Sequence, residues 1–191
     1  MPVDAIADPT TEDATEEQII LVDADDRPLG VAGKTEVHRR GLPHRAISVL
    51  VRNARGEILI QRRNPAKYHS GGLWANTCCS HPRPGESTLD AALRRLPEEM
   101  GFACALAPIF KTHYRATLSN GFIEDELVHA FGGTFDGAVA PAPDEVSEYA
   151  WVPFETLFAD QKAHPERYAV WFRHYLNQHR DDIAAWLARA T

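Results

Sequence analysis

Cysteine is scarce in this sequence: there are only three, Cys78, Cys79 and Cys104, and two of them are adjacent. Such a set gives no disulfide framework, so a reduced compartment is expected. No basic stretch followed by an apolar run opens the chain, and no apolar stretch is long enough to cross a bilayer. The expectation is a cytoplasmic protein with no membrane association. Positive charge is also in short supply, with 20 Lys and Arg against 27 Asp and Glu and a formal net charge of -7. That balance argues against a nucleic-acid partner, which needs a basic face. It still permits one basic pocket that takes an anion. Internal repeats are absent. Residues 1–17 lack periodic apolar positions and read as a disordered acidic tail.

The remaining stretch, 18–191, is long enough for one domain with a substantial core. Ile19-Ile20-Leu21-Val22 reads as a short strand, 23–28 as a turn and 29–37 as extended chain. Ile47, Val49 and Val51 alternate with Ser48 and Leu50, the period of a strand. Asn53-Ala54-Arg55-Gly56 is turn chemistry, and Ile58-Leu59-Ile60-Gln61 would complete a hairpin. A loop with Pro65, Gly71 and Gly72 follows. Ser87 with Asp90 three residues on signals a helix start, and Leu89, Ala92, Leu93 and Leu96 recur at helical spacing. Pro97 should kink that helix or restart its last turn, and Gly101 should end it. Two strands flank Ser119-Asn120-Gly121. Phe172, Tyr175, Leu176, Ile183, Trp186 and Leu187 give one apolar face of a C-terminal helix. Strands mixed with helices, without regular βαβ repetition, predict an α+β fold: a mixed-sheet sandwich with flanking helices.

Glu124 and Glu126 are two apart, so on a strand both carboxylates point to one face, among Phe122, Val128 and Ala130. Adjacent like charges need a cation or a proton between them, unless the strand is a solvated edge. A three-residue loop with Gly121 left-handed would set Tyr114 directly opposite Glu126. A two-residue Asn-Gly turn would put them on opposite faces. Cys79 and His81 also share a face if the chain is extended there, and His38 and His44 lie upstream. Three imidazoles and two carboxylates make a five-ligand set for a divalent ion, although any single histidine is more often a surface residue. Arg95 and Glu99 are one helical turn apart. They form either an exposed ion pair or a carboxylate that needs its partner at the margin of the apolar face.

These residues converge on a known family. Glu86, Arg94, Glu98-Glu99 and Gly101-Phe102 resemble the Nudix box, a loop–helix–loop that binds metal and diphosphate. Two positions depart from it. Ser80 stands where the box usually begins with Gly, and Arg95 replaces a glutamate that the hydrolases need. The surrounding segments resemble type 1 isopentenyl-diphosphate isomerases over roughly residues 18–180. Trp74-Ala75-Asn76-Thr77-Cys78-Cys79-Ser80-His81-Pro82 carries the likeness, together with Tyr114-Arg115-Ala116 and Glu124-Asp125-Glu126. The resemblance implies a Nudix-like fold and interconversion of isopentenyl and dimethylallyl diphosphate through a tertiary carbocation. It implies catalytic roles for Cys79 and for Glu126 with Tyr114 beside it. It implies a divalent metal (Mn, Mg or Zn) on His38, His44, His81, Glu124 and Glu126, and a substrate-bound Mg on Glu99. Lys34, Arg63, Lys67 and Arg95 would hold the diphosphate, and Trp171 would line the hydrocarbon pocket. The partner is then a small-molecule diphosphate, and a monomer is expected. The alternatives are a Nudix hydrolase of a nucleoside diphosphate derivative and a binding module without turnover.

Overall fold

A computed structural model describes residues 16–189. Most of the expected tail lies outside that range, but Glu16 and Glu17 are placed: the Glu17 carbonyl accepts from Lys34 N at 3.0 Å. Strand β1 (Gln18–Val22) turns through Asp23, whose Oδ1 accepts from the backbone of Asp25 and Arg27 at 2.9 Å each. It then pairs antiparallel with β2 (Pro28–Gly33). The extended chain expected over 29–37 ends at Gly33. Lys34–Arg40 is a helix, α1, with Val37 and His38 buried and Gly41 left-handed at its end. Its seven residues were too few to show a helical period against the strand-like run before them.

Strand β3 (His44–Arg52) is the spine of the molecule, buried at all but one position. Both of its faces are covered, so Ser48 and Leu50 are buried as well as the alternating Ile47, Val49 and Val51. After the turn comes β4 (Glu57–Arg63), but the expected hairpin does not zip: β3 and β4 share only the pair Arg52↔Ile58. The short strands β5 (Trp74–Ala75) and β6 (Cys78–Ser80) enter the gap between them. Thr77 bridges the splayed strands, accepting from Val51 N at 2.9 Å and donating to the Leu59 carbonyl at 2.7 Å. Asn76 donates to the carbonyls of Val49 and Cys78 at 3.0 and 2.9 Å.

Helix α2 (Thr88–Met100) begins as expected, with Ser87 Oγ accepting from Asp90 N at 3.1 Å, and it ends at left-handed Gly101. The helix assignment continues through Pro97. Its apolar face is rotated from the expected one: Ala91, Ala92, Leu96, Glu99 and Met100 are buried, whereas Leu89 and Leu93 are exposed. Strands β7 (Leu106–Thr117) and β8 (Ile123–Thr134) form the long hairpin, and β8 pairs in parallel with β3, setting His44 opposite Glu126. Strand β9 (Val146–Pro153) covers the far edge of β4, and helix α3 (Phe154–Ala163) follows. The C-terminal helix is two helices, α4 (Val170–Gln178) and α5 (Arg180–Leu187), broken at His179.

Among the described residues nine strands form one mixed sheet between two apolar layers. Leu96, Met100 and Ala92 of α2 pack with Ile47, Val49, Val51 and Cys78 on one side. Trp171, Phe172, Tyr175 and Ile183 of the C-terminal helices pack with Ala46, Leu50 and Val128 on the other. The α+β sandwich is therefore as expected. Among the described residues no helix is long and apolar enough to cross a membrane.

Candidate active site

A cavity of about 530 Å³ opens at one end of the sheet. The pairing pattern explains what reaches it. Ser48 of β3 opposes Cys79 of β6, while His44 of β3 opposes Glu126 of β8, and Glu126 in turn opposes Tyr114 of β7. Residues directly opposite share a face, and His44 and Ser48 are an even number of residues apart. Thiol and carboxylate therefore flank β3 on opposite sides of the same surface. The turn resolves the register: Gly121 is left-handed, Leu118 pairs with Phe122, and the Tyr114 hydroxyl donates to Glu126 Oε2 at 2.7 Å.

Asn76 has both amide hydrogens committed to backbone carbonyls, so its oxygen faces Cys79 and accepts from the thiol at 3.0 Å. On the other side Ser48 Oγ lies 3.2 Å from Cys79 Sγ and 2.9 Å from the Tyr175 hydroxyl. Burial pushes the Cys79 thiol up to about 12, against the pull of Ser48 and Asn76, so it is a neutral S–H at ordinary pH. Cys78 faces the α2 layer instead.

His38, His44, His81 and Glu126 present ligand atoms within 4.8 Å of one another, and His38, His69 and Glu124 form an overlapping group. His38 Nδ1–H donates to the Lys34 carbonyl at 2.7 Å and His44 Nδ1–H to the Leu42 carbonyl at 2.8 Å. Each ring therefore turns a bare Nε2 inward, and both Nε2 atoms are buried without a hydrogen-bond partner, as is Glu124 Oε2. Such orphaned lone pairs beside two carboxylates fit a divalent cation. His81 Nε2 and His44 Nε2 lie 3.3 and 3.6 Å from Glu126 Oε1, and His38 Nε2 lies 3.4 Å from Glu124 Oε2. Burial opposes the charge on Glu126, but His44 and His81 outweigh it and hold that carboxyl below its usual range. Burial and the neighbouring Glu126 push Glu124 up. Burial also takes His81 down to about 4.

The mouth gathers lysines and arginines, most of them paired with carboxylates. Arg95 binds Glu99 Oε1 at 2.6 Å and Glu98 Oε2 at 2.7 Å, Lys34 pairs with Glu17 at 2.8 Å, and Lys67 pairs with Glu145. The Nε–H groups of Arg63 and Arg95 are buried without a partner, which an anion in the cavity would supply. Glu99 is buried, with Gln61 donating to its other oxygen at 3.2 Å, and burial pushes its carboxyl up. The Arg63 guanidinium lies 5.3 Å from the Trp171 ring centroid. The structure thus brings together every site residue named from the sequence. Sequence reasoning missed Ser48, Asn76 and Tyr175 around the thiol, His69 beside Glu124, and Glu17 and Glu145 at the mouth. Asn76 stands within the quoted motif and was available as a candidate. The others carry no local signal.

Comparisons with known proteins give the family. A family model described as NUDIX domain matches residues 42–175. An isopentenyl-diphosphate Delta-isomerase of Burkholderia multivorans is 51% identical over 157 residues, covering 82% of this chain and 89% of the relative. One from Pectobacterium atrosepticum is 49% identical, covering 82% and 87%. Among solved structures, DR0079 from Deinococcus radiodurans superposes with a TM-score of 0.65 at 19% identity, covering 77% of this chain and 90% of that one. The MutT protein of Methanosarcina mazei Go1 gives 0.61 at 20% identity, covering 77% and 96%. At these identities the two structures speak to fold alone.

Proposed function

The chain belongs to the NUDIX family and, within it, to the isopentenyl-diphosphate Delta-isomerases, and on that premise we propose how its own residues carry the reaction. The enzyme moves a double bond between isopentenyl and dimethylallyl diphosphate. One alkene carbon gains a proton, a tertiary carbocation forms, and a carbon on its far side loses a proton. Cys79 serves one face of the substrate and Glu126, with Tyr114, serves the other. Because the reaction is reversible, each group is the acid in one direction. The supporting observation is the placement of a neutral, hydrogen-bonded thiol and a tyrosine-held carboxylate on one sheet face, flanking β3 beneath a mouth that gathers lysines and arginines.

Arg63, Lys67 and Arg95 bind the diphosphate oxygens, with Lys34 at the rim. Glu99 would hold a magnesium ion brought in with the diphosphate. The His38, His44, His81, Glu124 and Glu126 set would hold manganese, magnesium or zinc, whose charge would fix Glu126 and alter its proton affinity. Trp171 offers its π face to the cation, worth on the order of 2 kcal/mol when desolvated. Backed by the buried Tyr175 and Phe172, it also keeps out water that would trap the cation as an alcohol.

Incubation with isopentenyl diphosphate and a divalent metal in heavy water tests the reading. Deuterium in dimethylallyl diphosphate is the expected result. Phosphate release from nucleoside diphosphate derivatives, with no such exchange, would establish the hydrolase instead. Arg95 disfavours that outcome, because it sets a cation where hydrolysis needs an acid.

A further inference from the structure

His69 has no part in the scheme above, yet it reaches the metal centre. It sits in the loop between β4 and β5, its side chain is 8% exposed, and its Nε2 lies 3.3 Å from Glu124 Oε1. The opposite oxygen of that carboxylate, Oε2, is the one that faces His38 Nε2 at 3.4 Å. The two oxygens of Glu124 thus have separate neighbours: one imidazole inside the orphaned donor set and one outside it. The other His69 nitrogen, Nδ1, lies 3.3 Å from Ser70 Oγ, so a neutral ring with Nδ1 accepting from that hydroxyl carries its hydrogen on Nε2, facing Glu124.

Three further contacts fix the ring. It stacks against His38 with centroids 6.0 Å apart, meets Tyr68 edge-on at 4.3 Å, and meets Trp171 edge-on at 5.8 Å. The same loop carries Lys67, and Asn120 Nδ2 ties it to the β7–β8 turn by donating to the Tyr68 carbonyl at 2.9 Å. A side chain so placed joins three parts of the site: the carboxylate, the tryptophan wall and the phosphate loop.

We propose that His69 is a positioning residue of the metal centre: it holds Glu124 Oε1 so that Oε2 is presented to the cation, and it latches the phosphate-binding loop to that centre. The inference rests on the metal-ligand reading above. Partners of ligating carboxylates of this kind commonly change metal affinity about 10- to 100-fold when removed. Since the latch joins loop and metal, cation and diphosphate should each strengthen binding of the other, by the same factor.

The test is cobalt binding to the full chain at pH 7.5, read by competition with a chromophoric chelator, with circular dichroism as the fold control. His69→Ala should weaken cobalt binding about 10- to 100-fold. His69→Gln, whose amide N–H can reach the same oxygen, should restore it to within about threefold of the parent, a rescue that general loosening of the loop would not give. In the parent, at matched free cobalt so that chelation by pyrophosphate itself is excluded, inorganic pyrophosphate should tighten cobalt binding, and His69→Ala should lose most of that coupling. Parent-like affinity and coupling in His69→Ala overturn the proposal, as does a His69→Gln variant no better than His69→Ala. His81→Ala separates the two levels. If it loses cobalt while His69→Ala does not, only the positioning role fails. If neither loses cobalt, the ligand reading fails and takes this inference with it.

Discussion

At the residue scale the proposed chemistry rests on two side chains, Cys79 and Glu126. Cys79→Ala removes the S–H that Asn76 orients, and Glu126→Gln removes the proton acceptor while keeping the shape that meets Tyr114. Each is expected to lower kcat by about 10²- to 10⁴-fold with the fold intact, measured as conversion of isopentenyl diphosphate. A rate near the parent's in either variant would remove that residue from the mechanism. These two residues were legible because they sit in short motifs at fixed spacing. Ser48 and Tyr175 were not: Ser48 reads as one member of a strand and Tyr175 as one member of an apolar helical stripe. Only the fold brings their hydroxyls to 2.9 Å and sets Ser48 beside the thiol.

At the element scale the departures from sequence expectation share a cause, since tertiary contact overrides local pattern. The Asn53–Gly56 turn forms, but β3 and β4 part beyond it because 74–80 supplies the missing partners. That wedge delivers Cys79, and Thr77 holds it in place while fully buried. Thr77→Val keeps the shape but leaves the Val51 N–H and the Leu59 carbonyl without their partner. The expected loss is about 2–4 kcal/mol, read from urea unfolding. A change well under 1 kcal/mol would show that the bridge is dispensable. Helix α2 was found but its buried face was misjudged, since Leu89 and Leu93 drew attention away from the small Ala91; Glu99, expected at the margin of that face, is buried with Arg95 as its partner. The break at His179 has no glycine or proline to announce it, and α1 was too short to show its period.

At the scale of the whole molecule, distant segments are drawn together by charge. Asp26, on the β1–β2 turn, accepts from Arg45 at 2.7 Å and from Lys111 and His129 at 2.8 Å, joining that turn to β3, β7 and β8. Burial would raise its carboxyl, but these three partners prevail and hold it below the usual 3.8. A depressed folded-state value stabilises the protein above the unfolded value, and the benefit is lost as pH falls through the folded one. Asp26→Asn, which still tolerates the left-handed backbone there, should therefore cost about 1 kcal/mol at pH 7 by denaturant unfolding, with the gap closing below about pH 4. A gap that stays constant down to pH 3 would refute the ionic account. Chelation should abolish turnover and lower Tm, and added divalent metal should restore both; full activity in metal-free protein would contradict the ligand set. The alignment of β6, β3 and β8 carries one more consequence. The thiol and the carboxylate are mounted on the two strands that flank β3, each hydrogen-bonded to that one strand, so their span is a fixed gauge that no hinge adjusts. Discrimination between a five-carbon chain and a longer prenyl tail must then fall to the ceiling built by α4, and altering Trp171 or Tyr175 should relax size tolerance while the reacting carbons stay in register.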